Sequence, residues 1–347
     1  MRDALIDAVP AAVQSGAQDA SDVAPILSVR DIQVHFKVKA KSRLPWAPGR
    51  TLKAVDGVSF DLRAGETLGV VGESGCGKST LSRAILNLIP ATHGEIVWMG
   101  QSLANASARD WHAVRRDVQM IFQDPLASLD PRMTVGQIIA EPLREHRRDL
   151  SKDETSRRVR AMMAKVGLRE QMINRYAHEF SGGQCQRIGI ARALIIEPKL
   201  IVCDEPVSAL DVSIQAQIVN LLKSLQQEMQ LAVIFIAHDL AVVKHIADRV
   251  MVMYLGHMME LADKRALYAD PRHPYTRALL SAVPIPDPAI ERNKVVQILG
   301  NDIPSPINPP SGCVFHTRCP RAEARCSVEV PLLRQVAPDD AAACHFA

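Results

Sequence analysis

Apolar and polar positions alternate over residues 26–36, with Ile32, Val34 and Phe36 on one side, and residues 52–62 read the same way. A period of two predicts a strand in each place. Short apolar runs at 67–71, 200–203, 232–236 and 250–254 predict buried strands, and 93–99 predicts a turn and another strand. Helical spacing takes over at 81–89, stopped by Pro90, and at 214–227. Residues 186–196 place Ile188, Ala191, Leu194 and Ile195 on one helical face, closed by Pro198. Strands alternating with helices imply a largely parallel sheet with helices on its faces, an α/β architecture.

Three stretches break this rhythm. Residues 1–26 are rich in Ala and small polar residues and read as a flexible tail. Residues 37–50 hold Lys37, Lys39, Lys41, Arg43 and Arg50 with no acid, which predicts a loop, either solvated or in contact with a partner or anionic headgroups. About 124–180 the texture turns helical and polar, as in a separate helical lobe. After residue 262, prolines recur from Pro271 to Pro310 and predict a loop-rich extension.

Composition narrows the classes. The chain has 347 residues and a net charge of +3, from 41 Lys and Arg against 38 Asp and Glu. That balance, with 4% aromatic residues, speaks against a nucleic-acid binder built on charge or base stacking. The most apolar stretch, 231–243, is broken by His238 and Asp239 and is too short to cross a bilayer. The first residues include Asp3, Asp7 and Asp19 and lack the apolar run of a secretory signal, so a cytoplasmic location is expected.

The sharpest chemical signal is Gly72-Glu73-Ser74-Gly75-Cys76-Gly77-Lys78-Ser79, a full G-x-x-x-x-G-K-[ST] string between a predicted strand and a predicted helix. Gly72, Gly75 and Gly77 let the backbone turn its N–H groups toward phosphate oxygens, and the following helix adds its positive N-terminus. Lys78 would reach the β and γ phosphates, and Ser79 would offer its hydroxyl to Mg²⁺. Thr80 follows in the same helix. A second acidic element is expected at the end of the 200–203 run, where Asp204 and Glu205 would lie at the carboxyl edge of the sheet. Asp204 suits Mg²⁺ through its water shell, and Glu205 is placed to polarise an attacking water.

Phe180-Ser181-Gly182-Gly183-Gln184-Cys185-Gln186-Arg187 resembles the LSGGQ signature of ABC-type ATPases, with Phe180 for the usual Leu. The order of P-loop, Gln123, signature, Asp204-Glu205, Ser208-Ala-Leu-Asp211 and His238 matches as well, over residues 27–262. The resemblance implies a P-loop NTPase core of ABC type with an antiparallel β subdomain and a helical subdomain. It also implies roles. Gln123 would contact Mg²⁺ or the attacking water. Ser181, Gly182, Gly183 and Gln184 would close over the ATP of a second ATPase subunit. Asp211 would lie at the dimer seam, and His238 would contact the γ-phosphate. An aromatic before the P-loop stacks on adenine in this family; Phe36 is the candidate, with a core phenylalanine as the alternative.

The segments Arg272-His-Pro-Tyr-Thr-Arg-Ala-Leu-Leu280 and Pro309-Pro-Ser-Gly-Cys-Val-Phe-His-Thr-Arg-Cys-Pro320 resemble the C-terminal extension of dipeptide and oligopeptide importer ATPase subunits, here 263–347. The resemblance implies ATP-driven peptide import at the cytoplasmic face of the inner membrane. Partners would be an identical or paralogous ATPase subunit, two transmembrane permease subunits and an extracytoplasmic solute-binding protein. A nickel or other small-solute importer is the alternative, and a soluble non-transport ABC ATPase a further one. Cys313, Cys319, Cys326 and Cys344 crowd the tail. Soft thiolates suit a metal, and the family implies a [4Fe–4S] cluster there; zinc or free thiols remain open.

Overall fold

The computed structural model describes residues 24–38, 49–284, 287–294, 296–297, 299–300 and 302–347. Most of the expected N-terminal tail and most of the basic 37–50 stretch lie outside these residues.

Two sheets organise the chain. β1 (Leu27–Val38), β2 (Arg50–Leu62), β4 (His93–Trp98) and β5 (Gln101–Ser102) form an antiparallel sheet in the order β2-β1-β4-β5. The main sheet runs β11-β12-β10-β9-β3-β8-β7-β6, its first three strands being β11 (Arg334–Ala337), β12 (Asp340–Ala342) and β10 (His257–Asp263). Its parallel part consists of β3 (Thr67–Val71), β6 (Val118–Ile121), β7 (Leu200–Asp204), β8 (Ala232–Ile236) and β9 (Arg249–Tyr254). β3, β7 and β8 are buried at every position. A parallel strand covered on both faces has no use for alternation, which is why these segments read as unbroken apolar runs.

The two faces of that sheet feed two cores. Val71, Ile121, Ile201, Cys203, Val233 and Phe235 point into one, shared with the helices. Their strand neighbours Val70, Met120, Val202, Ile234 and Ile236 point into the other, shared with the antiparallel sheet. The helices comprise α1 (Lys78–Ile85), α2 (Ala108–Asp117), α3 (Val135–His146), α4 (Lys152–Lys165), α5 (Gly182–Leu194), α6 (Val212–Met229) and α7 (Leu240–Ile246). α3, α4 and the start of α5 make the helical lobe, with Ile138, Ile139, Met163 and Ile188 fully enclosed between them.

The C-terminal segment holds α8 (Lys264–Ala269), α9 (Pro274–Ser281), α10 (Pro288–Asn293) and α11 (Ala324–Val328) among its loops. It also extends the main sheet. β10 (His257–Asp263) pairs with β12 (Asp340–Ala342), which in turn pairs with β11 (Arg334–Ala337). Leu267, Tyr275 and Phe315 are fully buried in the helix-side core, so the segment is built into the molecule rather than appended.

Candidate functional site

Neighbouring parallel strands deliver the expected residues to one edge. In the order β3-β8-β7-β6, their C-terminal ends lead into the Gly72–Ser79 loop, His238, Asp204-Glu205 and Gln123 respectively. This is the edge at which open α/β sheets bind ligands.

The loop is shaped by its glycines. Gly77 has φ +106°, and a Cβ there would lie 2.1 Å from the Ala54 carbonyl oxygen on β2. At Gly72 a Cβ would lie 2.2 Å from the Met253 carbonyl oxygen. Only glycine lets the loop sit this close to two strands. Gly75 faces open space, and Ser74 is exposed. Lys78 is buried, and its ammonium donates to the carbonyls of Gly72 (2.8 Å) and Glu73 (3.1 Å). Cys76 is buried within the loop, its thiol 3.7 Å from that ammonium. Ser79 and Thr80 open α1, half-buried.

Ser79 donates its hydroxyl to Asp204 Oδ1 at 2.7 Å. Desolvation pushes the buried Asp204 carboxyl above the usual carboxylate range, so a cation there would favour its ionised form. Hydroxyl and carboxylate oxygens are the hard donors Mg²⁺ takes, and the arrangement fits that ion. Glu205 adopts φ +48°, a costly conformation for a residue with a Cβ, and accepts a 2.9 Å hydrogen bond from the Gln123 side-chain amide. His238 is exposed just past β8.

The signature residues form a helix start. Ser181 is the N-cap of α5: its hydroxyl accepts from the Gln184 N–H, and the Gln184 side chain accepts from the Ser181 N–H at 3.1 Å. Gly182 and Gly183 begin the helix close to Leu210 and Ile214, where added Cβ atoms would meet those side chains at 3.3 and 2.6 Å. Asp211 caps α6 by position but makes no side-chain capping bond, and it is exposed. Phe36 pairs with Leu52 on β2, two residues from the Ala54 carbonyl beside Gly77, and lies half-buried against the second core.

Sequence reasoning missed how the C-terminal segment reaches this site. Arg318 grips the Glu73 carboxylate with both terminal nitrogens, at 2.7 and 3.1 Å. The Glu73 N–H donates to the Tyr275 hydroxyl at 3.0 Å. Tyr275, Tyr254 and Phe315 pack around this contact in tilted and edge-on pairs, with ring centroids 4.8–5.3 Å apart. Tyr275 sat inside the motif that carried the importer resemblance, but nothing in the pattern linked positions 73 and 318, which are 245 residues apart.

The four late thiols share a neighbourhood. Burial pushes the Cys313 thiol up to about 11, with Cys326, Cys319 and Cys344 adding to the rise. Their chemistry suits a soft metal. Among the described residues no group of three or more His, Cys, Asp or Glu side chains is disposed to hold a metal ion. The expected ligands Cys313, Cys319, Cys326 and Cys344 are therefore neighbours in this structure without three of them being disposed around a common ion.

Comparison with known proteins agrees with this geometry. Residues 55–208 match the ABC transporter family, and 259–326 match the oligopeptide/dipeptide transporter C-terminal region. The oligopeptide transport ATP-binding protein OppF of Escherichia coli (strain K12) is 65% identical over 89% of this chain and 92% of its own length. A putative oligopeptide transport ATP-binding protein of Bacillus subtilis (strain 168) is 52% identical over 93% of this chain and 95% of its own. Among solved structures, a dimeric ATP-binding cassette in a post-hydrolysis state with ADP and phosphate matches with TM-score 0.61 and 27% identity. That match spans 69% of this chain and 99% of the other. A component of an ABC transporter complex of Clostridium perfringens matches with TM-score 0.61 and 26% identity, over 71% and 91% of the two chains. With a loop built for phosphates, an oxygen site beside it and relatives of this closeness, the chain belongs to the ABC transporter ATPases, in the oligopeptide-transport branch.

Proposed function

We propose that this chain is the ATP-binding and hydrolysing subunit that energises import of di- and oligopeptides through a separate membrane permease. The observation that carries the reading is the gathering of the Gly72–Ser79 loop, Asp204, Glu205 and Gln123 at one edge of the parallel sheet. The peptide class rests on the relatives' names and on the extension they share with it.

Each residue has a definite part. Loop N–H groups and the Lys78 ammonium bind the phosphates, and Lys78 leaves its carbonyl partners to do so. Ser79, Asp204 and Gln123 would hold Mg²⁺, which supplies positive charge against the phosphate oxygens. Glu205, held by Gln123, accepts the proton of the attacking water. His238 contacts the γ-phosphate from the end of β8. Phe36 stacks on adenine. Ser181, Gly182, Gly183, Gln184 and Asp211 act on the ATP of a second ATPase subunit, so that binding draws two subunits together and hydrolysis releases them. Among the described residues no helix is long and apolar enough to cross a membrane. In this reading, which the relatives' names as transport ATP-binding proteins support, translocation falls to permease subunits fed by an external solute-binding protein, with this chain peripheral at the inner membrane face.

Reconstitution with those subunits tests the reading. ATP-dependent uptake of labelled peptide is expected, and Lys78→Ala should abolish it. Uptake of nickel but not peptide would overturn the solute class. On donor chemistry alone, the four-thiol segment is also proposed to take up an iron–sulfur centre. Anaerobically purified protein should then contain iron and acid-labile sulfide; colourless, iron-free protein would refute it.

A further inference from the structure

Glu73 is an odd residue to find in a phosphate-binding loop. Its carboxylate is negative, as the ligand is, and it sits one residue past Gly72 in the loop that must wrap a polyphosphate. Three separate attachments fix it. Its carbonyl accepts from Lys78, the cation that serves the phosphates. Its N–H is directed away from the loop to the Tyr275 hydroxyl. Its carboxylate is held by Arg318, a side chain only 7% exposed, in two parallel hydrogen bonds. Two of the three come from the C-terminal extension.

The aromatic cluster makes these contacts rigid. Tyr275 is fully buried against Tyr254 and Phe315, and the Arg318 guanidinium lies 5.8 Å from the Tyr254 ring centroid. The extension is anchored in turn by Glu260, whose buried carboxylate accepts the backbone N–H groups of Arg272 (2.8 Å) and His273 (2.9 Å). A forked guanidinium on a carboxylate in such a setting fixes both charge and position.

We propose that the extension is a working part of the nucleotide site: Arg318 neutralises Glu73 inside the phosphate loop, while Tyr275 fixes the Glu73 backbone. Both are positioning residues for polyphosphate. Remove Arg318, and a partly buried carboxylate one residue past Gly72 is left without its counter-charge beside the phosphate loop. Affinity then falls through repulsion, and the fall is relieved by salt. An extension that merely braced the fold would show neither property.

The inference rests on the phosphate-loop reading given above, and one set of measurements separates the two. MgATP dissociation constants are determined on the full-length chain at low and high salt. Arg318→Ala is expected to weaken binding about tenfold at low salt, the size of one charge interaction at a protein surface. In the double variant Arg318→Ala/Glu73→Gln, where the orphaned charge is gone, affinity should return to within about threefold of wild type. Tyr275→Phe keeps the ring packing and removes only the hydroxyl. It should weaken binding about threefold, and it serves if Arg318→Ala fails to fold. Wild-type affinity in both Arg318→Ala and Tyr275→Phe overturns the proposal, as does a loss that Glu73→Gln does not repair. Lys78→Ala is the control. If it binds MgATP as wild type does, the phosphate-loop reading itself fails; if it loses binding while the extension variants do not, only the present inference falls.

Discussion

Glu205 and His273 show how much single side chains decide. Glu205 holds a left-handed backbone at the end of a buried strand, a strain that places its carboxylate against Gln123. Glu205→Gln keeps the shape and removes the proposed base. It should lower kcat by roughly 10²–10⁴-fold while leaving ATP affinity within a few-fold, read by phosphate release and equilibrium binding. His273 answers a different question. Burial drives its imidazole down to about 3, and its Nδ1 accepts the Tyr275 N–H at the start of α9. A group with a lowered basic pKa is held neutral by the fold. Its contribution is present above the unfolded value near 6.5 and is lost as pH falls from there toward 3. Between pH 6.5 and 4.5 the wild-type thermal midpoint should therefore drop more steeply than that of His273→Asn, whose amide oxygen can cap α9 without titrating. Equal slopes in the two proteins would disprove the assignment.

At the scale of elements, what the sequence revealed and what it hid have separate physical causes. The buried strands β3, β7 and β8 were legible because burial on both faces demands unbroken apolar runs, and Gly72 to Ser79 because phosphate binding demands those residue types in that order. The extension was legible only as punctuation. Its prolines do mark loops, but β11 and β12 are short, and pairing partners such as Glu260 and Ala342 are far apart in sequence. No local period announces such a strand. A steric test follows from the same segment. Gly312 has φ +65°, and a Cβ there would lie 2.4 Å from the Cys326 carbonyl oxygen and 2.7 Å from the Ser327 carbonyl carbon. Gly100, at φ +79°, faces open space. Gly100→Ala should cost about 1–2 kcal/mol for the backbone conformation alone. Gly312→Ala should cost clearly more in denaturant unfolding, because backbone on both sides of the contact must move. Equal losses would mean the Gly312 turn is not packed as described.

For the whole molecule, the site is a surface rather than a pocket. Ser181, Asp211 and His238 are exposed in the single chain, and the hydroxyl of Ser181 is occupied in starting a helix whose N-terminal end opens outward. A helix start that offers N–H groups and a positive dipole end invites an anion, and the ATP held by another subunit would supply one. Pairing should then depend on bound triphosphate and vanish when it is cleaved. In light scattering, the hydrolysis-blocked Glu205→Gln protein with MgATP is expected to double its mass, either alone or with a paralogous ATPase added. ADP should leave it single. Ser181→Arg should block the pairing by filling the contact, while ATP binding to the single chain stays as it was, since the proposed role of Ser181 is on the neighbour's nucleotide. If Ser181→Arg pairs as readily as its parent, or if neither mixture pairs at all, the shared-nucleotide arrangement is wrong, even though the phosphate loop could still bind ATP.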